Sequence, residues 1–352
     1  MTTSLASGVS CATPLVETDR VQLGHGSGGK MSAALLRDRF MPLLDNPVLR
    51  QCADAAVVPV EAGEIAISTD TFVVSPLEFP GGNIGSLAVH GTLNDLAMMG
   101  ARPKFLTAGF VLEEGLHLDV LDRVVAAMAT AALANGVALI AGDTKVVERG
   151  RADGLYLNTT GVGLMDGAFR PRPDAVQNGD VLIISGPVAC HGMAIMSARE
   201  GLEFEAEIRS DSACLVPLVE RLRERVGSAV HAMRDPTRGG LASALNELAA
   251  TSGIGVLLHE GAVVVPPPVA AACEMLGLDP LYVANEGVLV AFVAPDAAPE
   301  ALAALRSHPL GTRAAVAGHA VSDNPGLVVL RTTIGSRRVV DMLPGDQLPR
   351  IC

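Results

Sequence analysis

The sequence predicts a two-domain fold that combines helices with β-sheets. Three observations predict it. The chain has 352 residues, more than one core of ordinary size accommodates. Two successive stretches, 21–170 and 171–335, each interleave short apolar strand patterns with helical periodicities. At their border lies FRPRPDAVQNGD, whose two prolines and Asn-Gly pair mark a junction.

Residues 1–20 read as a flexible arm. In the first half, Glu64–Thr69, Phe105–Leu112, Val137–Ala141 and Leu155–Leu164 read as strands. Asn83–Met99 and Asp119–Ala134 read as helices. In the first of these, Ile84, Leu87, Ala88, Gly91, Met98 and Met99 recur at helical spacing. The second half offers strands at Val181–Ser185, Gly255–Leu258, Gly287–Val293 and Ala314–Val321, and helices at Ser212–Arg225, Gly240–Thr251 and Pro299–Ser307. Residues 336–352 form a tail that ends in Cys352.

Composition narrows the function. Apolar residues make up 49% and aromatics only 3%, with no Trp, so Ala, Val, Leu, Ile and Met must fill the core. A net charge of −12 argues against nucleic acid or an anionic membrane as the main partner. The charge-free run Val124–Gly142 resembles a membrane span. It is Ala-rich, and Asn135-Gly136 divides it into a helix and a strand. The first twenty residues lack a basic region followed by an apolar run, so a cytoplasmic protein is expected. Six cysteines occur without CxxC spacing, which suits a reducing compartment and disfavours structural zinc. Five read as small hydrophobes. Cys352 does not: a chain end is usually exposed, and here it follows Pro344, Gly345 and Pro349.

Several motifs carry chemistry. LGHGSGGKM satisfies GxxxxGK, but Met31 stands where a P-loop needs Ser or Thr. It reads as a glycine-rich flap with a usable Lys30, or as a plain loop. EIAISTD and VALIAGDTK are apolar strands ending in acids, Asp70 and Asp143, the latter followed by Lys145. Strand ends are favoured ligand positions. With Asp54 of ADAAVV they supply the oxygen ligands that nucleotide-bound Mg²⁺ takes, although singly each also suits a turn or a helix cap. Asn94 and Asp95 fall on the apolar stripe of their helix, where a carboxylate needs a cation or an arginine as partner. His90 on the same helix reads as an ordinary hydrogen-bonded histidine. Asp235-Pro236 and Arg238-Gly239-Gly240 open a helix, as an anion site or a simple cap. Glu286 stands at the mouth of an apolar strand, as a base or a turn residue.

Taken in order, DAAVV, STDT, NDLAMMGA, AGDTK, DPTRGG and NEG resemble the superfamily of aminoimidazole ribonucleotide synthetase, thiamine-monophosphate kinase and selenophosphate synthetase. STDTFVVSPLEFPGGNIG, GDTKVVERG and the final PRIC are closer still to the HypE family of hydrogenase maturation factors. The resemblance runs from Val21 to Cys352. It implies an α+β fold of two domains, each a mostly antiparallel sheet packed with helices, with a mobile C-terminal tail and a homodimer formed by the first domains. It also implies an ATP-dependent carbamoyl dehydratase. Such a protein receives a carbamoyl group on its last cysteine from the carbamoyltransferase HypF, converts it to a thiocyanate, and passes cyanide to iron on a HypC–HypD complex.

Carried onto this sequence, the resemblance gives Cys352 the carbamoyl and Asp54, Asp70, Asp95 and Asp143 the Mg²⁺. Thr71, Asn94 and Thr144 join them around ATP, Lys145 neutralises charge in transit, and Glu286 acts as base. Asp235, Arg238, Gly239 and Gly240 line the site from the second domain. One departure is visible: Ala53 stands where relatives carry a further acid, which leaves the number of ions open. Beyond Val340 the tail spans roughly 35–40 Å when extended, with Pro344 and Pro349 opposing helix formation. A small-molecule kinase of the same superfamily and a non-catalytic carrier are the rival functions. Deleting Ile351 and Cys352 separates them: a kinase keeps its ATP consumption, and a protein that works on its own final thiol loses it.

Overall fold

The computed structural model describes residues 29–35, 37–38, 49–51, 53–54, 56–60, 63–165, 167, 169–201, 207–345, 348 and 350–352. The expected arm at 1–20, the glycines of the flap at 24–28, Cys11 and Cys52 lie outside them. Lys30 opens a short helix, α1 (Lys30–Leu35), and its ammonium pairs with Asp341 at 2.6 Å.

Alternating side chains build the first sheet. Its strands, numbered in chain order, are β1 (Ala56–Val60), β2 (Gly63–Phe72), β5 (Ala101–Glu113), β6 (Ala138–Val147) and β7 (Leu155–Met165), in the spatial order β1-β2-β7-β5-β6. All pairings are antiparallel except β5–β6. Along β7, Leu155, Leu157, Thr159, Gly161 and Gly163 alternate inward, the two-residue period of a half-buried strand. A small hairpin ladder, β3 (Glu78–Phe79) with β4 (Gly82–Asn83), leads into helix α2 (Ile84–Met98). Asn83 caps that helix: its Oδ1 accepts from the N–H groups of Gly85 and Ser86, and Ser86 Oγ accepts from the Asn83 N–H.

Helix α2 has almost no solvent face. Ile84, Leu87 and Leu93 pack with Phe72, Leu106 and Leu157 of the sheet, while Ala97 and Met98 enter the core of the second half. A helix apolar all round is a helix enclosed on all sides. Helix α3 (Leu118–Ala134) crosses it where Gly85 meets the Val124 carbonyl. The uncharged run divides as expected, with Asn135 at the helix C-cap and Gly136 in the left-handed region at φ 65°. No described helix is long and apolar enough to cross a membrane. Strand β6 continues six residues beyond its expected end, because one-sided pairing with the long β5 tolerates polar residues within the strand. Asp143 and Lys145 therefore lie inside β6 and not past its end.

The second sheet has seven strands: β8 (Val181–Ile184), β9 (Val230–Arg234), β10 (Gly255–His259), β11 (Val290–Val293), β12 (Ala315–Val321), β13 (Val328–Arg331) and β14 (Arg337–Val340). Their order is β14-β13-β10-β12-β8-β11-β9, antiparallel except for β10–β13. Helices cover both faces, so β8 and β11 are buried throughout. The helices are α4 (Cys190–Glu200), α5 (Val216–Arg225), α6 (Gly240–Ser252), α7 (Pro267–Leu276) and α8 (Ala298–Arg306). α5 and α8 pack on Ile183, Ala291 and Val293, and α6 packs on Ile184, Val290 and Phe292. Both halves are thus mostly antiparallel sheets layered with helices, as expected. Strand β14 occupies part of the stretch that the sequence assigns to the tail, since Val328 to Arg331 offer it an open edge.

A Cβ added at Gly85 would lie 2.1 Å from the Val124 carbonyl oxygen. Gly85→Ala must push α2 and α3 apart, so thermal unfolding should show a loss of about 1–3 kcal/mol. An unchanged melting temperature would mean that this crossing has slack.

Candidate active site

Three elements of the fold deliver carboxylates to one point. The segment before β1 supplies Asp54, the middle of α2 supplies Asp95, and the end of β9 supplies Asp235. One oxygen from each lies within 4.8 Å of the others. Ser68 Oγ donates to Asp95 at 2.6 Å. Arg234 reaches Asp54 with Nε at 3.3 Å and Glu247 with Nη2 at 2.6 Å. Asp54 Oδ2 and Asp235 Oδ2 are buried with no hydrogen-bond partner among the described residues. Clustered buried acceptors without a donor are what a bound cation satisfies. The donor set, all carboxylate oxygen, suits a hard divalent ion such as Mg²⁺.

Electrostatics follow from this crowding. Burial raises the Asp95 carboxyl well above the carboxylate range, and Asp235, Asp70 and Asp54 add to it. Burial, helped by Asp54, lifts Asp235 to about 7. Burial raises Asp54 too, against the pull of Arg234. Asp70, on β2 beside Gly91, is raised by burial and partly restrained by Arg238. Burial works against the Arg234 charge, but Asp54, Glu247, Asp235 and Asp95 more than offset it.

Glu286 borders the same cluster. Burial pushes its carboxyl well up, followed by Asp235, Asp70 and Asp211, with Arg238 opposing. Its backbone is pinned: the N–H groups of Glu286 and Gly287 both donate to Asp211 Oδ2, at 3.2 and 2.9 Å. Gly239 and Gly240 turn the chain into α6 with φ of 74° and 61°. Only glycine suits Gly240, because a Cβ would lie 2.7 Å from the carbonyls of Leu281 and Val283.

Within one chain, the residues expected around the ion are arranged differently in three respects. Asp143 does not join the other acids within one chain. It lies exposed on β6 and takes the Lys145 ammonium at 2.6 Å, which lowers its pKa. In register, Asp143 faces Gly109, Gly109 faces Asn158, and Asn158 faces Thr71. Three strand spacings, about 14 Å, separate it from the Asp70 end of the sheet. Thr144 and Lys145 share that position. Asp235, expected only to line the site, stands among the ion's candidate ligands in place of Asp143. Asn94 is committed to the backbone: Nδ2 donates to the Ala213 carbonyl at 3.0 Å, and Oδ1 accepts from the Leu215 N–H at 2.7 Å. It joins the two halves through these contacts. Thr71 is exposed on β2 and accepts from Asn158 Nδ2. His90 bonds Ser212, as an ordinary histidine does.

The final residues reach the same neighbourhood. The Val73 N–H donates to a backbone oxygen of Cys352 at 3.1 Å, and the Ser75 N–H to the Arg350 carbonyl at 3.2 Å. Val73 follows Asp70 by three residues, no more than about 11 Å along the chain. Ile351 is buried against Phe72, Ile84 and Ile195. Arg350 Nε donates to the Val73 carbonyl, its Nη1 pairs with Asp153, and its guanidinium lies over Tyr156. His191, Arg199, Asp211 and Arg234 were missed by sequence reasoning. Arg234 adjoins the DPTRGG motif and was within reach of it, whereas VACHG around His191 carries no motif.

The chain is similar to known proteins in sequence and fold. The family model for the N-terminal domain of AIR synthase related proteins matches residues 52–165, and that for the C-terminal domain matches 177–330. The carbamoyl dehydratase HypE of Rhizobium leguminosarum bv. viciae is 50% identical, with 96% of each chain covered. The carbamoyl dehydratase HypE of Escherichia coli K12 is 45% identical over 95% of this chain and 100% of its own. Among solved structures, a HypE–HypF complex superposes with a TM-score of 0.84 at 43% identity, covering 88% of this chain and 100% of that one. A HypE structure in complex with ATP gives 0.80 at 48% identity, with 93% and 98% covered.

The raised carboxyls set a pH dependence. A carboxyl held above its unfolded value keeps protons that the unfolded chain releases, so stability is lost as pH climbs through the folded value. For Asp235 that window runs from about pH 4, its unfolded value, to about 7. The metal-free protein should therefore melt lower at about pH 8 than at about pH 5, and added Mg²⁺ should restore more at the higher pH. Asp235→Asn should flatten both trends; scanning calorimetry that gives the variant the wild-type slope would dissociate Asp235 from the cluster.

Proposed function

The chain belongs to the AIR synthase related family and, within it, to the HypE carbamoyl dehydratases, and from that premise we propose which of its residues carry the reaction. The reaction is the ATP-dependent dehydration of a carbamoyl group in hydrogenase maturation. Cys352 is the proposed carrier. The observation that supports it above all others is the Val73–Cys352 hydrogen bond, which seats that residue next to the strand bearing Asp70.

The chemistry asked of the site is specific. An amide oxygen leaves poorly as oxide or hydroxide. Transfer of the γ-phosphoryl group of ATP to that oxygen turns it into phosphate, a good leaving group. The C–O bond then breaks, two N–H protons depart, and sulfur retains a nitrile carbon; the other products are ADP and phosphate. Asp54, Asp95 and Asp235 are the proposed holders of Mg²⁺, with Asp70 alongside. When bound, the ion offsets phosphate charge. Glu286 is the proposed acceptor of an N–H proton: burial that raises a carboxyl also makes its carboxylate a stronger base. Arg238, where Gly239 and Gly240 turn the chain into α6, offers positive charge to phosphate at a helix start. Bringing Cys352 to this point is chiefly a matter of positioning, which lowers a barrier by replacing encounter with tethering.

Asp143, Thr144 and Lys145 point to a second copy of the chain. They lie on β6, the edge of the sheet among the described residues, along which Leu139, Ile140 and Val146 are also exposed. A long apolar edge strand of this kind invites pairing. A homodimer through β6 is the proposed state, with Lys145 available to the phosphoryl group only within it. HypF is the proposed carbamoyl donor, in keeping with the HypE–HypF complex among the relatives. A HypC–HypD complex is the proposed cyanide acceptor, and the cytoplasm the proposed location.

Intact mass tests the central assignment. After incubation with the carbamoyl donor system, the last peptide should gain one carbamoyl group, then lose one water when Mg-ATP is added. Cys352→Ala should fold and bind ATP yet yield no thiocyanate; an equal yield from the variant would remove Cys352 as carrier.

A further inference from the structure

At the chain's end, backbone oxygens of Arg350 and Cys352 accept the N–H groups of Ser75 and Val73. Arg350 itself turns in the left-handed region, at φ 57°. The Ile351 carbonyl between these two contacts meets His191, fully buried at the start of α4, whose Nε2 lies at 2.9 Å.

The ring has one workable protonation. A carbonyl only accepts, so Nε2 must carry the hydrogen. Burial holds the imidazole neutral by lowering its pKa to about 4, which leaves Nδ1 bare. Ser210 Oγ lies 2.7 Å from Nδ1, and that oxygen itself accepts from the Ser212 N–H at 3.0 Å. The Ser210 hydroxyl hydrogen is therefore directed at Nδ1. A single donor series runs from the Ser212 amide through Ser210 and His191 to the tail. Phe79 closes on the ring edge-on, with centroids 5.6 Å apart. The same short loop carries Asp211, which binds the N–H groups of Glu286 and Gly287. Arg199, also on α4, donates to the carbonyls of Ser75 and Arg350 at 2.6 and 2.7 Å.

We propose that His191 is a positioning residue for the terminal thiol: by donating to the Ile351 carbonyl, next to Cys352, it fixes the register in which Cys352 enters the site. A slip of the tail by one residue would carry the Ile351 carbonyl away from Nε2. The loop that orients the ring also holds Glu286, so thiol and base share one support. The proposal rests on Cys352 being the carbamoyl carrier.

The test uses the full chain, with two readouts. The first is the rate at which iodoacetamide alkylates Cys352, localised by peptide mass. The second is single-turnover loss of water from the carbamoylated protein on addition of Mg-ATP. His191→Gln places an amide N–H near the Nε2 position, while His191→Asn reaches only the Nδ1 position. His191→Leu removes the donor. With one buried hydrogen bond lost, Leu and Asn should alkylate about fivefold to tenfold faster and dehydrate slower by a similar factor. Gln should restore most of both, and ATP affinity should stay unchanged throughout. Should Leu fail to fold, the contrast between Gln and Asn decides. Ser210→Ala, which frees the ring to adopt the other tautomer, should shift both readouts in the same direction by about half as much on a logarithmic scale. Equal behaviour of Gln and Asn, or wild-type alkylation in a folded Leu variant, would overturn the role of His191. Absence of any carbamoyl on wild-type Cys352 would instead overturn the carrier assignment, with the alkylation contrast still deciding the latch.

Discussion

Like charges within 5 Å of one another, out of reach of water, do not persist unaided, and the molecule is organised around that constraint. Asp54 and Asp95 come from the first half and Asp235 from the second. Their mutual repulsion would drive the halves apart were they joined by the cluster alone. Other contacts carry the junction. Asn94 binds the backbone of residues 213 and 215, and Ala97 and Met98 are embedded in the second core. Arg234, on the strand that ends at Asp235, lies against Asp54 and Glu247 and stays charged at any ordinary pH. The protein thus holds the acidic cluster together with apolar packing and the fixed charge of Arg234, and the remaining charge defines what the cluster accepts.

Helix α2 shows how tightly the site depends on the fold. It supplies Asp95, presents Gly91 to Phe72 and Asp70, and crosses α3 at Gly85. Enclosed on every side, it offers little freedom to shift without disturbing both cores. The tail is seated by different means, through hydrogen bonds at Val73, Ser75, His191 and Arg199. Such contacts form and break locally. A rigid chamber and a separable arm suit a task in which one group must be collected elsewhere and brought in.

Much of the fold was legible because its signals are local. The α2 stripe, the alternation in β2 and β7, and the Asn135-Gly136 break all lie within short windows. Strand β9 was not legible, since VHAMR is short and half polar and becomes a strand only beside β11. β6 was read too short because an edge strand exposed on both faces needs no apolar rhythm. At the site, Asp54, Asp70, Asp95 and Glu286 stood out by their settings. Asp143 looked the same in sequence, yet three strand spacings separate it from them; sheet order is a tertiary fact that spacing along the chain does not carry. Asn94 shows a related limit: a polar residue on a buried stripe signals a buried partner, without saying whether that partner is a ligand or, as in its bonds to residues 213 and 215, a neighbouring loop.

The docked terminus also changes how substrate supply works. A sulfur borne on the same chain meets the site at an effective concentration fixed by the length and stiffness of the arm, in the millimolar range for short flexible tethers, and independent of how much protein is present. Such a site has no need of strong intrinsic affinity for the small group it transforms. Free amides in solution, lacking the arm and its contacts, compete poorly, so selectivity comes from the tether before any recognition of the carbamoyl itself.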